Sequence, residues 1–262
     1  MKKGALFLSN FALKVAAHTV QKGEVTVFSM GQAGYLIKTA SGKLIGLDMY
    51  LTDCVERLCN FRRISAKMLA PDELHFDYLL VSHEHPDHFD VDAMPILMAN
   101  PYTQTITSVC GKKLADSLGI KKNVIELKRG DVYETPDFTV RAVYCNHGEL
   151  APYALGFILE IDGFKLYYAG DTCFSPEQVA PFREEHFDLM MAPLNGAFGN
   201  LNEEECAKYA AIVQPKLTLP CHFWTFIEHG GDPRKFIEAM EKEAPDQKYL
   251  FLTQGEYVTL SK

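Results

Sequence analysis

Long apolar runs are missing from this 262-residue sequence: no stretch approaches the roughly 18 apolar residues of a membrane span. Positive charge is short too, with 26 Lys and Arg against 34 Asp and Glu and a net charge of −8. A chain this acidic repels phosphate backbones and anionic lipid surfaces. That argues against nucleic-acid and membrane partners, and leaves room only for a local patch holding one small anion. There is no low-complexity segment, no long run of one charge and no linker between two cores. One domain over residues 1–262 is therefore expected, at a length that buries most of the surface exposed on unfolding. The seven cysteines are odd in number and contain no CxxC pair. They read as reduced, mostly buried thiols of a cytoplasmic protein. The opening "MKKGALFLSNFALKVAAHTV" carries the paired lysines of a secretory leader, but Asn10 and Lys14 interrupt its apolar stretch. Leu6, Phe7, Phe11, Leu13, Val15 and Val20 fit an amphipathic helix instead, so residues 1–23 are read as an N-terminal helical extension.

Beyond that extension the patterning is rich in strands, then mixed. "EVTVFSM" and "GYLIKTA" flank Gly31–Gly34 as a hairpin, and "KLIGLDMYL" follows a Ser41-Gly42 turn. Leu51 to His75 is irregular or helical. "FDYLLVS" is a continuous apolar run, as in a strand buried on both faces. "VDAMPILMAN" suits a helix with Pro95 in its first turn. Further strands are expected at Gln104–Val109, Asn123–Leu127, Phe138–Tyr144, Gly156–Ile161 and Lys165–Ala169, the last two joined by Asp162-Gly163. "FDLMMAPL", "KLTLPC" and "KYLFLT" read as strands, and "DPRKFIEAMEKEA" as a helix. "NEEECAKYAAIV" reads as a helix that Asn202 caps with Glu205 at the third position. Two sheets flanked by helices fit this order.

The densest chemistry lies in "SHEHPDHFD", where three histidines and an aspartate fill six positions directly after a buried strand. In extended backbone His83 and His85 point to one side, and Pro86 keeps His85 extended. The chain then turns, so Asp87 and His88 can face a second point. Imidazole and carboxylate together suit zinc, manganese or iron. Three later strand ends repeat the arrangement: His147 after "VRAVYC", Asp171 in "YYAGDT" and His222 after "KLTLPC". Five of the nine histidines thereby join one candidate metal centre. Cys145, Cys173 and Cys221 stand within two residues of these positions and read as small apolar side chains packed behind it.

HxHxDH, a later His, GDT and a His at a strand end together resemble the metallo-β-lactamase-fold hydrolases, over residues 24–262. The resemblance implies an α/β fold, an αββα sandwich of two mixed sheets flanked by helices. It implies two divalent ions: His83, His85 and His147 would hold the first, and Asp87, His88 and His222 the second, with Asp171 bridging. Asp48, ending "LIGLD", matches an acid that orients the histidine loop. "FSMGQAGYLIKT" and "GAFGNLNEEECAKYAAIVQPKLTLPCHFW" are similar to the ascorbate-6-phosphate lactonase group.

Two divalent ions lower the pKa of a shared water, and Asp87 would both ligate and move a proton to the leaving group as the catalytic carboxylate. Substrate choice then falls to loops. "NGAFGN" leads into a helix start and can cradle an anion, with Asn195, Gly199 and Asn200 as candidate contacts, or can be an ordinary strand-to-helix loop. Tyr50, Phe198 and Trp224 are candidate pocket walls. Arg57, Arg62, Arg63 and Lys67 are balanced by Asp53, Glu56, Asp72 and Glu73, as on a solvated face. The expected function is metal-dependent hydrolysis of a small anionic metabolite such as a phosphorylated lactone, by a chain that can form homo-oligomers. The rivals are a phosphodiesterase or RNA-processing nuclease of the same fold, and a noncatalytic member.

Overall fold

The computed structural model describes residues 9–262; Leu6 and Phe7 of the expected N-terminal helix lie outside the described residues. The first sheet contains β1 (Glu24–Gly31), β2 (Gly34–Thr39), β3 (Leu44–Leu47), β4 (Tyr78–Val81), β5 (Gln104–Ser108) and β6 (Val124–Leu127). The second contains β7 (Val132–Glu134), β8 (Thr139–Val143), β9 (Gly156–Ile161), β10 (Phe164–Tyr168), β11 (Leu189–Pro193) and β12 (Thr218–Cys221). β13 (Tyr257–Ser261) returns to pair antiparallel with β1 at the edge of the first sheet. In chain order the helices are α1 (Asn10–Ala17), α2 (Cys54–Cys59), α3 (Met94–Leu97), α4 (Val109–Ser117), α5 (Pro176–Val179), α6 (Glu203–Val213) and α7 (Pro233–Glu243). Among the described residues no helix is long and apolar enough to cross a membrane.

Side-chain alternation along the strands builds the layers. Tyr78 and Leu80 of β4 point inward, where they join Val25, Ile37, Phe157, Leu166 and Met191 between the two sheets. Leu79 and Val81 of the same strand point outward and pack with Phe11, Val15, Met94, Leu97 and Ala115 under α1, α3 and α4. The far face of the second sheet sets Ile158, Tyr167 and Met190 against Cys206, Tyr209, Val213 and Phe236 of α6 and α7. The result is the metallo-β-lactamase architecture, helices outside two mixed sheets. β4 is buried on both faces, as its unbroken apolar run requires.

Three segments differ from the sequence expectation. Val109 opens α4, because Ser108 ends β5 and accepts a hydrogen bond from Gly111 N–H as its cap. β7 is short and largely exposed, without the apolar run that marks its neighbours. "KYLFLT" makes only two main-chain hydrogen bonds beside Thr218. Its Tyr249 and Phe251 rings pack edge-on against Phe236 instead. A turn closed by Glu256 N–H on Thr253 O then sends the chain across to β13.

Candidate metal centre

β3 and β4 are parallel neighbours, so Asp48 and Ser82 leave the sheet side by side. Asp48 is fully buried and sits at φ +42°, a left-handed conformation uncommon for a residue with a side chain. Its Oδ1 accepts from Ser82 N–H at 2.7 Å. Its Oδ2 accepts from Ser82 Oγ–H at 2.5 Å, Tyr168 O–H at 2.6 Å and His88 Nδ1–H at 2.6 Å. Nε2 of His88 is thereby the nitrogen turned toward the site. Since Ser82 Oγ spends its proton on Asp48, it accepts from His83 Nδ1–H at 2.9 Å, which frees His83 Nε2 in the same way. His85 is turned round: its Nε2–H donates to Leu150 O at 3.1 Å, and its Nδ1 comes within 3.0 Å of His83 Nε2.

The second sheet supplies the other half. His147 follows β8, Asp171 follows β10 and His222 follows β12, itself at φ +64°. His83, His85 and His147 form one group whose ligand atoms all lie within 4.8 Å, and His88, Asp171 and His222 form another. Asp87 joins the second: its Oδ2 is 3.3 Å from both His88 Nε2 and His222 Nε2. The two imidazole nitrogens are 3.2 Å apart, and Asp171 reaches them at 3.3 and 3.1 Å. Carboxylate and imidazole atoms brought this close, with Asp171 presenting Oδ1 to His88 and Oδ2 to His222, are the donor set that suits a divalent ion. Asp171 Oδ1, His147 Nδ1 and His222 Nδ1 are buried without hydrogen-bond partners. Buried polar atoms without partners are costly, and a cation held by these side chains would compensate the site for them.

Charge couples the cluster. Burial disfavours a proton on His88, but Asp171, Asp87 and Asp48 outweigh it and hold the imidazole well above its ordinary value. His222 is raised to about 9 on the same balance, burial opposing and Asp171 prevailing. Burial also works against the charged forms of Asp87 and Asp171, yet His88 and His222 keep both carboxyls well below the usual range. His147 is pushed down to about 4 chiefly by burial, and His83 is lowered well below its usual value for the same reason. Cys145 and Cys221 are buried thiols that desolvation holds protonated. Cys145 donates to Asp171 O, so it props the aspartate from behind.

The loop residues divide. Asn200 Nδ2 donates to Asp171 Oδ2 at 2.9 Å and to Asn195 Oδ1 at 3.2 Å, so both amide side chains are buried against the protein with Nδ2 of Asn200 engaged. Gly199 is exposed, at φ +80°. A cavity of about 250 Å³ opens over the cluster, bounded by His85, Asp87, His147, Asp171 and His222 and walled by Val55, Phe61, Leu150 and Phe198. Trp224 stands apart, 60% exposed, on a separate cavity with Phe223 and Phe251, and donates to Gly231 O. Tyr50 is buried beneath Arg63, whose guanidinium lies 4.0 Å from the ring and donates to Thr52 O. Arg63 is therefore a packing residue and no part of a solvated face.

Two residues gave no sequence signal. His229 lies in a short 3-10 turn (Ile227–His229), without the preceding strand that marks every other histidine of the site. Gln32 occupies the β1–β2 turn at φ +54°, where a polar residue between glycines reads as solvated. The turn instead folds over the metal cluster. Gln32 Nε2 is 2.8 Å from Asp87 Oδ2, 2.8 Å from His229 Nδ1 and 3.2 Å from His222 Nε2.

A family model described as a beta-lactamase superfamily domain matches residues 26–222. The chain is similar to a UPF0173 metal-dependent hydrolase of Polynucleobacter asymbioticus, 28% identical over 261 residues that cover 90% of this chain and 87% of the relative. Its fold is similar to that of Igni18, a metallo hydrolase from Ignicoccus hospitalis, with a TM-score of 0.75 and 21% identity over 91% of this chain and 99% of that one. The metallo-beta-lactamase fold protein YhfI of Bacillus subtilis superposes with a TM-score of 0.69 and 15% identity, over 91% of this chain and 100% of that one.

Proposed function

We propose that this chain, which belongs to the beta-lactamase superfamily, is a metal-dependent hydrolase with two divalent ions, acting on a small ester or lactone. Asp87, His88, Asp171 and His222 carry the reading: Nε2 of His88 and of His222 lie 3.2 Å apart, and each is 3.1–3.3 Å from an oxygen of Asp87 and an oxygen of Asp171. The complete donor set supports a catalytic member of the fold over a noncatalytic one. His83, His85 and His147 would hold the first ion, and Asp87, His88 and His222 the second, with Asp171 shared. Zinc or manganese would lower the pKa of a bound water and polarise the scissile carbonyl.

The chain's own groups do the rest. Asp87, fixed through Oδ2 by the Gln32 amide, takes the proton of the attacking water and returns it to the leaving oxygen. Val55, Phe61, Leu150 and Phe198 keep bulk water from the reacting bond. The cavity falls below the roughly 300 Å³ at which ligand sites begin, which favours a compact substrate over a polynucleotide.

An anionic substrate, such as the phosphorylated lactone ascorbate 6-phosphate, is supported by the ions alone: their four positive charges exceed the three of Asp48, Asp87 and Asp171. A distal phosphate meets no Lys or Arg among the cavity walls, and Nδ2 of Asn200 is already engaged. The geometry therefore favours the unphosphorylated lactone or ester. Elemental analysis of metal-replete protein should give two ions per chain. Rates on p-nitrophenyl acetate and on a sugar lactone with and without its phosphate should be metal-dependent and no higher for the phosphorylated compound. One ion or fewer, with no second site titratable, would sink the dinuclear reading. Asp87→Asn should lower kcat by about a hundredfold or more with the fold intact, the scale of a lost general base.

A further inference from the structure

We propose that His229 offers its Nε2–H as a hydrogen-bond donor to the substrate, and that Gln32 is the positioning residue that sets this tautomer. The inference rests on the hydrolase reading for its substrate, but not for its geometry.

Asp87 fixes which way the Gln32 amide is turned. A carboxylate oxygen only accepts, so the Gln32 atom 2.8 Å from Asp87 Oδ2 must be the amide nitrogen. That nitrogen has two protons and no lone pair. One proton goes to Asp87. The other faces His229 Nδ1, also at 2.8 Å, so Nδ1 must accept and the imidazole proton sits on Nε2. The third neighbour, His222 Nε2 at 3.2 Å, is the most distant and receives neither proton.

His229 is 4% exposed and lines the cavity over the metal cluster. Its ring is stacked 4.8 Å from His222 at an interplanar angle of 7°. The rings of Phe61, Phe198 and Phe226 meet it at steep angles and hold its plane. With Nδ1 engaged and the ring immobile, Nε2–H is the group left for a bound molecule. It suits a carbonyl or leaving-group oxygen on a compact substrate whose remainder packs on Val55, Phe61, Leu150 and Phe198. The competing role is ligation, since Asp87, His222 and His229 also have ligand atoms within 4.8 Å. Ligation through Nδ1 would require the Gln32 amide to withdraw from its 2.8 Å contact with His229. The set of Asp87, His88, Asp171 and His222 is already complete without it.

Long-range proton–nitrogen NMR on ¹⁵N-labelled protein separates the two roles, with the His229 signals assigned by their loss in His229→Asn. The expected pattern is an unprotonated Nδ1 and a protonated Nε2, unchanged on adding zinc. In Gln32→Met the pattern should become mixed. A protonated Nδ1, or an Nδ1 that shifts as zinc is titrated, overturns the proposal. Zinc stoichiometry and affinity should match wild type within about threefold in His229→Asn and His229→Gln; loss of one ion would make His229 a ligand. On p-nitrophenyl acetate, His229→Asn should lose about tenfold in kcat/KM, the scale of one hydrogen bond. His229→Gln, which keeps a donor at the Nε2 position, should lose less, and equal losses would count against the donor role. A wild-type chain that binds no second ion would sink the dinuclear reading while the tautomer result stood.

Discussion

Asp48 shows how much of the site one carboxylate decides. Four donors converge on its two oxygens, and three of them share Oδ2. Asp48→Asn must turn an N–H₂ toward at least one of those donors, so the His88 ring loses its anchor. Zinc affinity, measured by competition with a chromophoric chelator, should fall about 10- to 100-fold, the usual cost of removing a group that orients a ligand. Protonation of the ligands gives a second prediction. In the metal-free chain His88 and His222 carry protons that an ion must displace. Zinc affinity should therefore climb from pH 6.5 and level off above about 9, where His222 has lost its proton. Stability of the metal-free chain should run the other way. A histidine raised from its unfolded value to about 9 stabilises fully below about 6.5, and that contribution disappears as pH rises through about 9. Denaturant midpoints and zinc titrations at pH 6.5, 7.5 and 9 check both slopes. An affinity flat across that range would reject the coupling.

Strand ends, one level up, explain what the sequence could reveal. A buried strand announces itself by an apolar run, and the residue after it has nowhere to go but the sheet edge. His83, His147, Asp171 and His222 could therefore be picked out from β4, β8, β10 and β12. Gln32 and His229 follow no such rule, because a hairpin turn and an isolated 3-10 turn reach the site only once both sheets have packed. β13 was hidden for a related reason: its residues are partly exposed and short of apolar signal, and "KYLFLT" upstream looks like a better strand. Its rings are recruited by Phe236 instead. The turn after β10 can be tested directly. Gly170 has φ +65°, and an added Cβ would lie 3.0 Å from Leu155 O and 3.3 Å from Cys145 Sγ. Gly42 has φ +84° with nothing within 4 Å. Gly170→Ala should cost about 1–3 kcal/mol, lowering Tm by about 2–10 °C, and should weaken zinc binding as Asp171 shifts. Gly42→Ala pays only for the left-handed backbone and should leave zinc binding untouched. Equal effects on zinc from both variants would show that Gly170 has no special tie to the site.

Over the whole molecule the candidate metal centre lies where the two sheets meet, with its proposed ligands drawn from both. Asp48 and the His83–His88 loop come off the first sheet, and His147, Asp171 and His222 off the second. Direct protein contacts cross the same seam: Tyr168 O–H reaches Asp48, Leu155 N–H donates to Ser82 O, and His222 N–H donates to Gln32 O. A bound ion would act as a further tie between the sheets. Without one, the buried carboxylates and imidazoles must compensate one another through protons alone. Ligand linkage sets the scale, about 2.7 kcal/mol for one ion at a hundred times its Kd. For a chain of this size that is roughly 5–10 °C in Tm. Removing metal with dipicolinate should lower Tm by at least that amount, and zinc should restore it. Hydrogen exchange should then locate the loss at the ends of β4, β10 and β12, while the β1–β13 edge stays protected. Protection lost evenly over both sheets would mean that the ions hold the global fold together. An unchanged Tm would mean that the seam closes on side chains alone, and that the cluster is not a metal centre of consequence to the fold.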